Sequence, residues 1–127
     1  MRLNRYIEID RGSTGSYLNM MKKIINTLRN GNSVLMFPEG TRHPVGGIGP
    51  FRDGAFRMAQ ENQVGLIPVI LNGTANTIPK GKLILTGKQK LTAKILPEIP
   101  YESFSEKTPK ELMNEVREMM IKEYKKL

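Results

Sequence analysis

Apolar residues along this chain fall into two rhythms. After Ser13, the residues Leu18, Met21, Ile24, Ile25 and Leu28 recur at helical spacing, with Lys22, Lys23 and Arg29 off the stripe. That spacing predicts an amphipathic helix; Ser13 or Thr14 can cap it and Asn30-Gly31 is a good stop. A second helix is predicted over 53–63, turning Ala55, Phe56 and Ala59 to a sheet with Met58 at its margin, and ended by Gly65. A third opens at Thr108-Pro109-Lys110-Glu111, with a cap, a proline in the first turn and a glutamate at the capping-box position. Leu112, Val116, Met119, Met120 and Tyr124 form its stripe. Its opposite face is of mixed charge, so the stripe reads as core rather than as a membrane-inserted face.

The other rhythm is the short apolar run. Val34-Leu35-Met36-Phe37 is continuous rather than alternating, the pattern of a buried strand in a parallel sheet. Leu66–Leu71 reads the same way, with Pro68 inside it. Proline donates nothing to a ladder, so Pro68 calls for an edge or a bulge. Residues 5–9, Leu83–Leu85 and Leu91–Leu96 are shorter strand candidates, and 97–109 reads as a linker. Helix and strand alternate, and the expected fold class is α/β, a mainly parallel sheet flanked by helices. The unit 5–9, helix, 33–37 takes a right-handed crossover by default.

With 127 residues there is one domain at most, organised as a core over 5–100 and a carboxyl-terminal amphipathic helix over 108–127. Apolar content of 39% and charged content of 25% are those of a globular domain. No run approaches the roughly 18 apolar residues of a spanning helix. Met1-Arg2-Leu3-Asn4-Arg5 leads into Glu8 and Asp10, not into the apolar stretch of a signal peptide. The absence of cysteine excludes disulfides and a thiol nucleophile, and a single histidine makes a poor transition-metal set. The net charge of +8 favours anionic partners: phosphorylated metabolites, acidic carrier protein, nucleic acid or an anionic membrane. Lys80, Lys82, Lys88, Lys90 and Lys94 form the densest basic patch, in a region without an acidic residue. It suits edge-strand protection and headgroup contact equally.

The chemistry concentrates in Phe37-Pro38-Glu39-Gly40-Thr41-Arg42. Pro38 and Gly40 end the apolar run, so Glu39 and Arg42 are delivered at a strand's carboxyl end, where open α/β sheets place ligands. A guanidinium presents a planar fork to phosphate oxygens. Glu39 can fix that fork or accept from a hydroxyl; a solvated ion pair in a turn is the bland alternative. Arg11, after the strand 5–9, is the second strand-end arginine; two such residues suit one phosphate, although the residues alone favour a plain Asp10–Arg11 surface turn. The loop 43–50 that follows, with three glycines and two prolines, reads as a candidate cover for the site.

Phe37–Arg42 resembles the signature of the glycerolipid acyltransferases, the 1-acylglycerol-3-phosphate (lysophosphatidate) acyltransferase family. Three other stretches resemble its motifs in the same order. Ile9-Asp10-Arg11 resembles the second motif, Gly49–Phe56 the Phe-Lys-x-Gly-Ala-Phe segment, and Leu66-Ile67-Pro68-Val69-Ile70 the fourth motif. The resemblance implies transfer of a fatty acyl group from an acyl-coenzyme A or acyl-carrier-protein thioester to a glycerol-phosphate lipid. It implies that Arg11 and Arg42 bind the acceptor phosphate, that Glu39, Gly40 and Thr41 shape the site, and that Pro68 belongs to a strand lining the substrate pocket. No cofactor and no metal are implied. The expected location is peripheral, on the cytoplasmic side of an anionic membrane.

One family element is missing. The first motif, His-x-x-x-x-Asp, supplies the general base, and no histidine precedes Phe37. His43 follows the signature directly, and Ile48 stands where the aspartate would be. The chain therefore resembles the carboxyl-terminal part of the family's domain, no residue in it is assigned as the base, and the chain alone is expected to be inactive. A non-catalytic lipid- or membrane-binding remnant is the second reading. A basic nucleic-acid-binding module is the third, disfavoured by an aromatic content of 6% with no aromatic–basic interleaving.

Overall fold

The computed structural model describes residues 14–40, 47–73 and 90–127. Its chain divides into two compact units, Met1–Met36 and Phe37–Leu127. The strand candidates 5–9 and Leu83–Leu85, the cap at Ser13, and Lys80, Lys82 and Lys88 lie outside the described residues.

In the first unit, α1 spans Thr14–Arg29. It ends as the sequence predicts. Gly31 takes φ +74°, its N–H donates to the Leu28 carbonyl at 3.0 Å, and the Asn32 N–H donates to that of Thr27 at 3.2 Å. This paired closure needs a left-handed residue just past the helix. The buried face is rotated from the expected stripe: Met20 and Ile24 are buried, whereas Leu18 is exposed.

The second unit holds α2 (Gly54–Glu61), β1 (Val69–Asn72), β2 (Thr92–Ile95), a 3₁₀ turn at Tyr101–Ser103 and α3 (Pro109–Tyr124). Its core is built by Phe51, Phe56, Ala59, Phe104, Leu112 and Val116. Thus α2 turns its apolar face to α3, not to a sheet. It stops at Glu61, and Gln63 (φ +55°), not Gly65, takes the left-handed position that follows it. The Val64 N–H then reaches the Ala59 carbonyl at 3.0 Å, and Val64 folds back against the core.

The start of α3 follows the sequence residue by residue. The Thr108 hydroxyl accepts from the Glu111 N–H at 3.3 Å, and the Glu111 carboxylate accepts from the Thr108 N–H at 2.8 Å. The Thr108 N–H first, and then the Thr108 hydroxyl, which donates to the same carboxylate oxygen at 2.7 Å, hold the Glu111 carboxyl below its ordinary value. Leu112 and Val116 are buried, and Met119 and Met120 pack on the core. The stripe is therefore core.

One expectation is corrected. The segment 97–109 is not a plain linker: Phe104 is 1% exposed and meets Tyr101 edge-on at 5.7 Å between ring centres. Gln60 ties α2 to this turn by donating to the Phe104 carbonyl at 3.2 Å and that of Lys107. One aromatic without periodic neighbours gives no signal in the pattern, yet fills the centre of the core.

The mainly parallel sheet is not what the described residues form. Their sheet is antiparallel, β1 with β2, pairing Val69 with Ile95 and Leu71 with Ala93. It is extended by a bridge between Leu66 and Ile99. Its two faces differ. Ile70 and Leu96 are buried, whereas Ile67, Leu71, Leu91 and Ile95 are exposed. The run 33–37 likewise forms no strand pairing with the other described residues, and Leu35 (73%) and Phe37 (69%) are exposed. A strand apolar on both faces needs neighbours at its edges and layers over its faces; among the described residues nothing supplies a ladder to 33–37. No helix among them is long and apolar enough to cross a membrane.

Candidate functional site

The signature bends immediately after Phe37. The Gly40 N–H donates to the Phe37 carbonyl at 3.1 Å, closing a four-residue turn with Pro38 and Glu39 at its centre. Gly40 has φ +66°, a region where a side chain is strained. A Cβ there would also lie 3.1 Å from the Arg52 Nε. The backbone angle selects glycine, and an exposed guanidinium lies across the signature's backbone.

The turn is laced to the segment before α2. The Arg52 N–H donates to the Pro38 carbonyl at 2.8 Å. The Gly49 N–H donates to Glu39 Oε2 at 2.8 Å. From α3, Arg117 Nε donates to the Gly49 carbonyl at 2.7 Å, and Arg117 Nη2 to the Ile48 carbonyl at 3.1 Å. The Glu39 carboxylate is thus held in place.

Of the site residues read from the sequence, Glu39 and Gly40 are brought together in this turn. Arg11, Thr41, Arg42 and the adjacent His43 lie outside the described residues. Pro68 is buried just before β1, and its carbonyl accepts from the Leu96 N–H at 2.9 Å. Its missing donor falls between the Leu66–Ile99 bridge and the β1–β2 ladder, which is how the run tolerates it. That carbonyl bond goes to the 92–99 segment, not to the signature.

Two cations are held in ion pairs. Arg57 pairs with Asp53 at 2.6 Å on the surface of α2. Lys94, the last lysine of the basic patch, pairs with Glu123 of α3 at 2.6 Å, and Lys126 joins the same carboxylate. The patch is therefore partly neutralised by an acid 29 residues away. Lys126 and then Lys94 draw the Glu123 carboxyl down to about 2.

Sequence reasoning missed Gly49 and Arg117 as parts of the site. Gly49 opens the segment resembling Phe-Lys-x-Gly-Ala-Phe, a signal that points to it. Arg117 has only a weak one: it follows Met113 by four and precedes Met120 by three, and both methionines pack on the core.

The acyltransferase family model matches residues 1–72, which contain the signature turn and its partners. The chain belongs to the acyltransferase family. Curated relatives of this family member include the 1-acyl-sn-glycerol-3-phosphate acyltransferase alpha of Mus musculus, 31% identical over 91% of this chain and 41% of the relative. The Homo sapiens protein of the same name is 30% identical over 95% of this chain and 43% of the relative. Among solved structures, the 1-acyl-sn-glycerophosphate acyltransferase PlsC of Thermotoga maritima superposes with a TM-score of 0.73 at 31% identity. That match covers 84% of this chain and 43% of PlsC. The acyltransferase chain thus spans about two fifths of the length of these relatives, and shares the glycerolipid acyltransferase fold over that span.

Proposed function

We propose that this chain carries the acceptor-binding part of an acyltransferase of phospholipid biosynthesis. The reaction moves a fatty acyl group from an acyl-coenzyme A or acyl-carrier-protein thioester to the free hydroxyl of 1-acylglycerol-3-phosphate. The hydroxyl oxygen attacks the thioester carbonyl, the tetrahedral adduct collapses, and the thiol leaves with the proton. The observation that carries this reading is the ordered signature turn, with Glu39 held by the Gly49 N–H at 2.8 Å and Gly40 beneath Arg52, in a chain of the acyltransferase family. Arg42 and Arg11 bind the acceptor phosphate, with Glu39, Gly40 and Thr41 shaping the turn. A mainly parallel sheet flanked by helices belongs to the same reading. The +8 charge supports peripheral association with an anionic membrane surface.

Residues 1–127 by themselves bind acceptor without turning it over. An unactivated hydroxyl is a poor nucleophile, and a positioned base contributes about 10²–10⁴-fold. His43, with no aspartate at the family spacing, is not that base. Purified 1–127 is assayed with acyl-coenzyme A and lysophosphatidate for thiol release and phosphatidate formation, and separately for lysophosphatidate binding. Binding without turnover is expected. Robust turnover that survives His43→Ala would refute the assignment, and turnover abolished by His43→Ala would make His43 the base. Arg42→Ala should weaken acceptor binding by about 1.5–3 kcal/mol, the worth of a charge-assisted hydrogen bond; unchanged affinity would remove Arg42 from the site.

A further inference from the structure

We infer that Arg117, on the carboxyl-terminal helix, is a positioning residue for the signature carboxylate Glu39, acting through the single peptide unit between Ile48 and Gly49. The Ile48 carbonyl that accepts from Arg117 Nη2 at 3.1 Å and the Gly49 N–H that donates to Glu39 Oε2 at 2.8 Å are the two ends of one planar group. Peptide planarity sets them antiparallel, so fixing the carbonyl fixes the direction of the N–H. A guanidinium on the carbonyl also polarises the N–H and strengthens its bond to a carboxylate. The second guanidinium bond, Nε to the Gly49 carbonyl at 2.7 Å, clamps the next peptide unit as well. Gly49 is buried and Arg117 half-buried, so water does not readily substitute for either partner.

Three features separate this from ordinary helix-to-loop packing. Arg117 engages two successive carbonyls as a fork, which holds a backbone in orientation and not only in place. The oriented peptide ends on a signature carboxylate. The strand-like pairing of Arg52 with Pro38 at 2.8 Å fixes the other side of the same turn, leaving Arg117 to set the Glu39 side. The consequence is that α3, 68 residues from the loop it holds, governs the conformation of the acceptor site. The effect on acceptor rests on the function proposed above; the effect on Gly49 does not.

The test uses ¹⁵N-labelled 1–127 as wild type, Arg117→Met, Glu39→Gln and the double variant. Methionine keeps the bulk and apolar stem of Arg117. In Arg117→Met, the Gly49 amide should move upfield and exchange with solvent about tenfold faster or more, as expected when a charge-assisted hydrogen bond is released. Amides of Phe56, Phe104 and Leu112 should stay put. Short-chain lysophosphatidate is then titrated below its micellar concentration. Arg117→Met and Glu39→Gln should each weaken binding, and the double variant should be no weaker than the weaker single one. An unchanged Gly49 amide overturns the inference. So does a change spread equally over the core amides, which would make Arg117 a general packing residue, and so do additive losses in the double variant. If wild type itself binds no lysophosphatidate, the proposed acceptor site fails, and the Gly49 amide alone decides the positioning role.

Discussion

Helix α3 and the signature approach 33–40 have comparable apolar content, and they meet opposite fates. Leu112 and Val116 of α3 are buried, and the helix satisfies its own first turn through Thr108 and Glu111. Leu35 and Phe37 are exposed, and the run 33–37 pairs with nothing among the described residues. Both sequences read as buried elements. The difference is where the backbone hydrogen bonds go. A helix closes them within itself, so an amphipathic stripe needs one apolar neighbour to become core. A strand exports every backbone bond to a neighbour, so the same apolar content specifies nothing until the neighbour is present.

The largest expected effect breaks or sustains this contrast directly. Phe104→Ala should destabilise the second unit by about 3–5 kcal/mol, because it empties a fully buried aromatic site, whereas Leu35→Ser should stay within about 0.5 kcal/mol as a surface change. Urea unfolding followed by far-ultraviolet circular dichroism measures both, and comparable losses would mean that 33–37 is packed as a core strand after all.

A smaller effect sharpens the helix side of the comparison. Thr108→Ala removes one half of the reciprocal cap and should cost about 1 kcal/mol. The urea midpoint measures it, and Thr108→Ser should recover most of it by restoring the acceptor oxygen. No change in Thr108→Ala would mean that tertiary packing alone holds the start of α3.

The smallest effect concerns what joins α3 to the β1–β2 ladder. Lys126 and Lys94 hold the Glu123 carboxyl down to about 2 in the folded chain, against an ordinary value near 4.3 when unfolded. A depressed folded-state value means that the unfolded chain takes up the proton first. The contribution of this carboxylate is therefore complete above the ordinary value and is lost as pH falls through about 2. Glu123→Gln should lower the urea midpoint slightly at pH 6, and the gap to wild type should close progressively below the ordinary glutamate value. A gap that does not change with pH would assign the contact to packing, including that around the Tyr124 hydroxyl, which donates to Asn72 at 3.2 Å.

Much of the fold was legible where a local motif closes on itself. The helix-ending Asn30-Gly31 pair, the cap of α3 and its apolar stripe all stand as read. The left-handed backbone of Gly40 is likewise local, a property of the turn itself. What escaped was set by residues distant in sequence. Phe104 fills the core without periodic company, Gln63 takes a left-handed position usually reserved for glycine or asparagine, and Glu123 answers Lys94 across 29 residues.

The sequence by itself determined the family, through four motifs in order, and placed Glu39 and Gly40 in one signature turn, because short-range spacing and turn chemistry are carried by neighbours in the chain. Only the tertiary structure decided that the Leu66–Asn72 run pairs antiparallel with 92–99, since strand direction depends on a partner that no local pattern names. It alone also decided that Glu39 is held by Gly49 and Gly49 by Arg117. A carboxylate, a loop peptide and a guanidinium on a distant helix become one hydrogen-bonded path only when the core of Phe56, Phe104 and Leu112 brings α3 against the segment before α2.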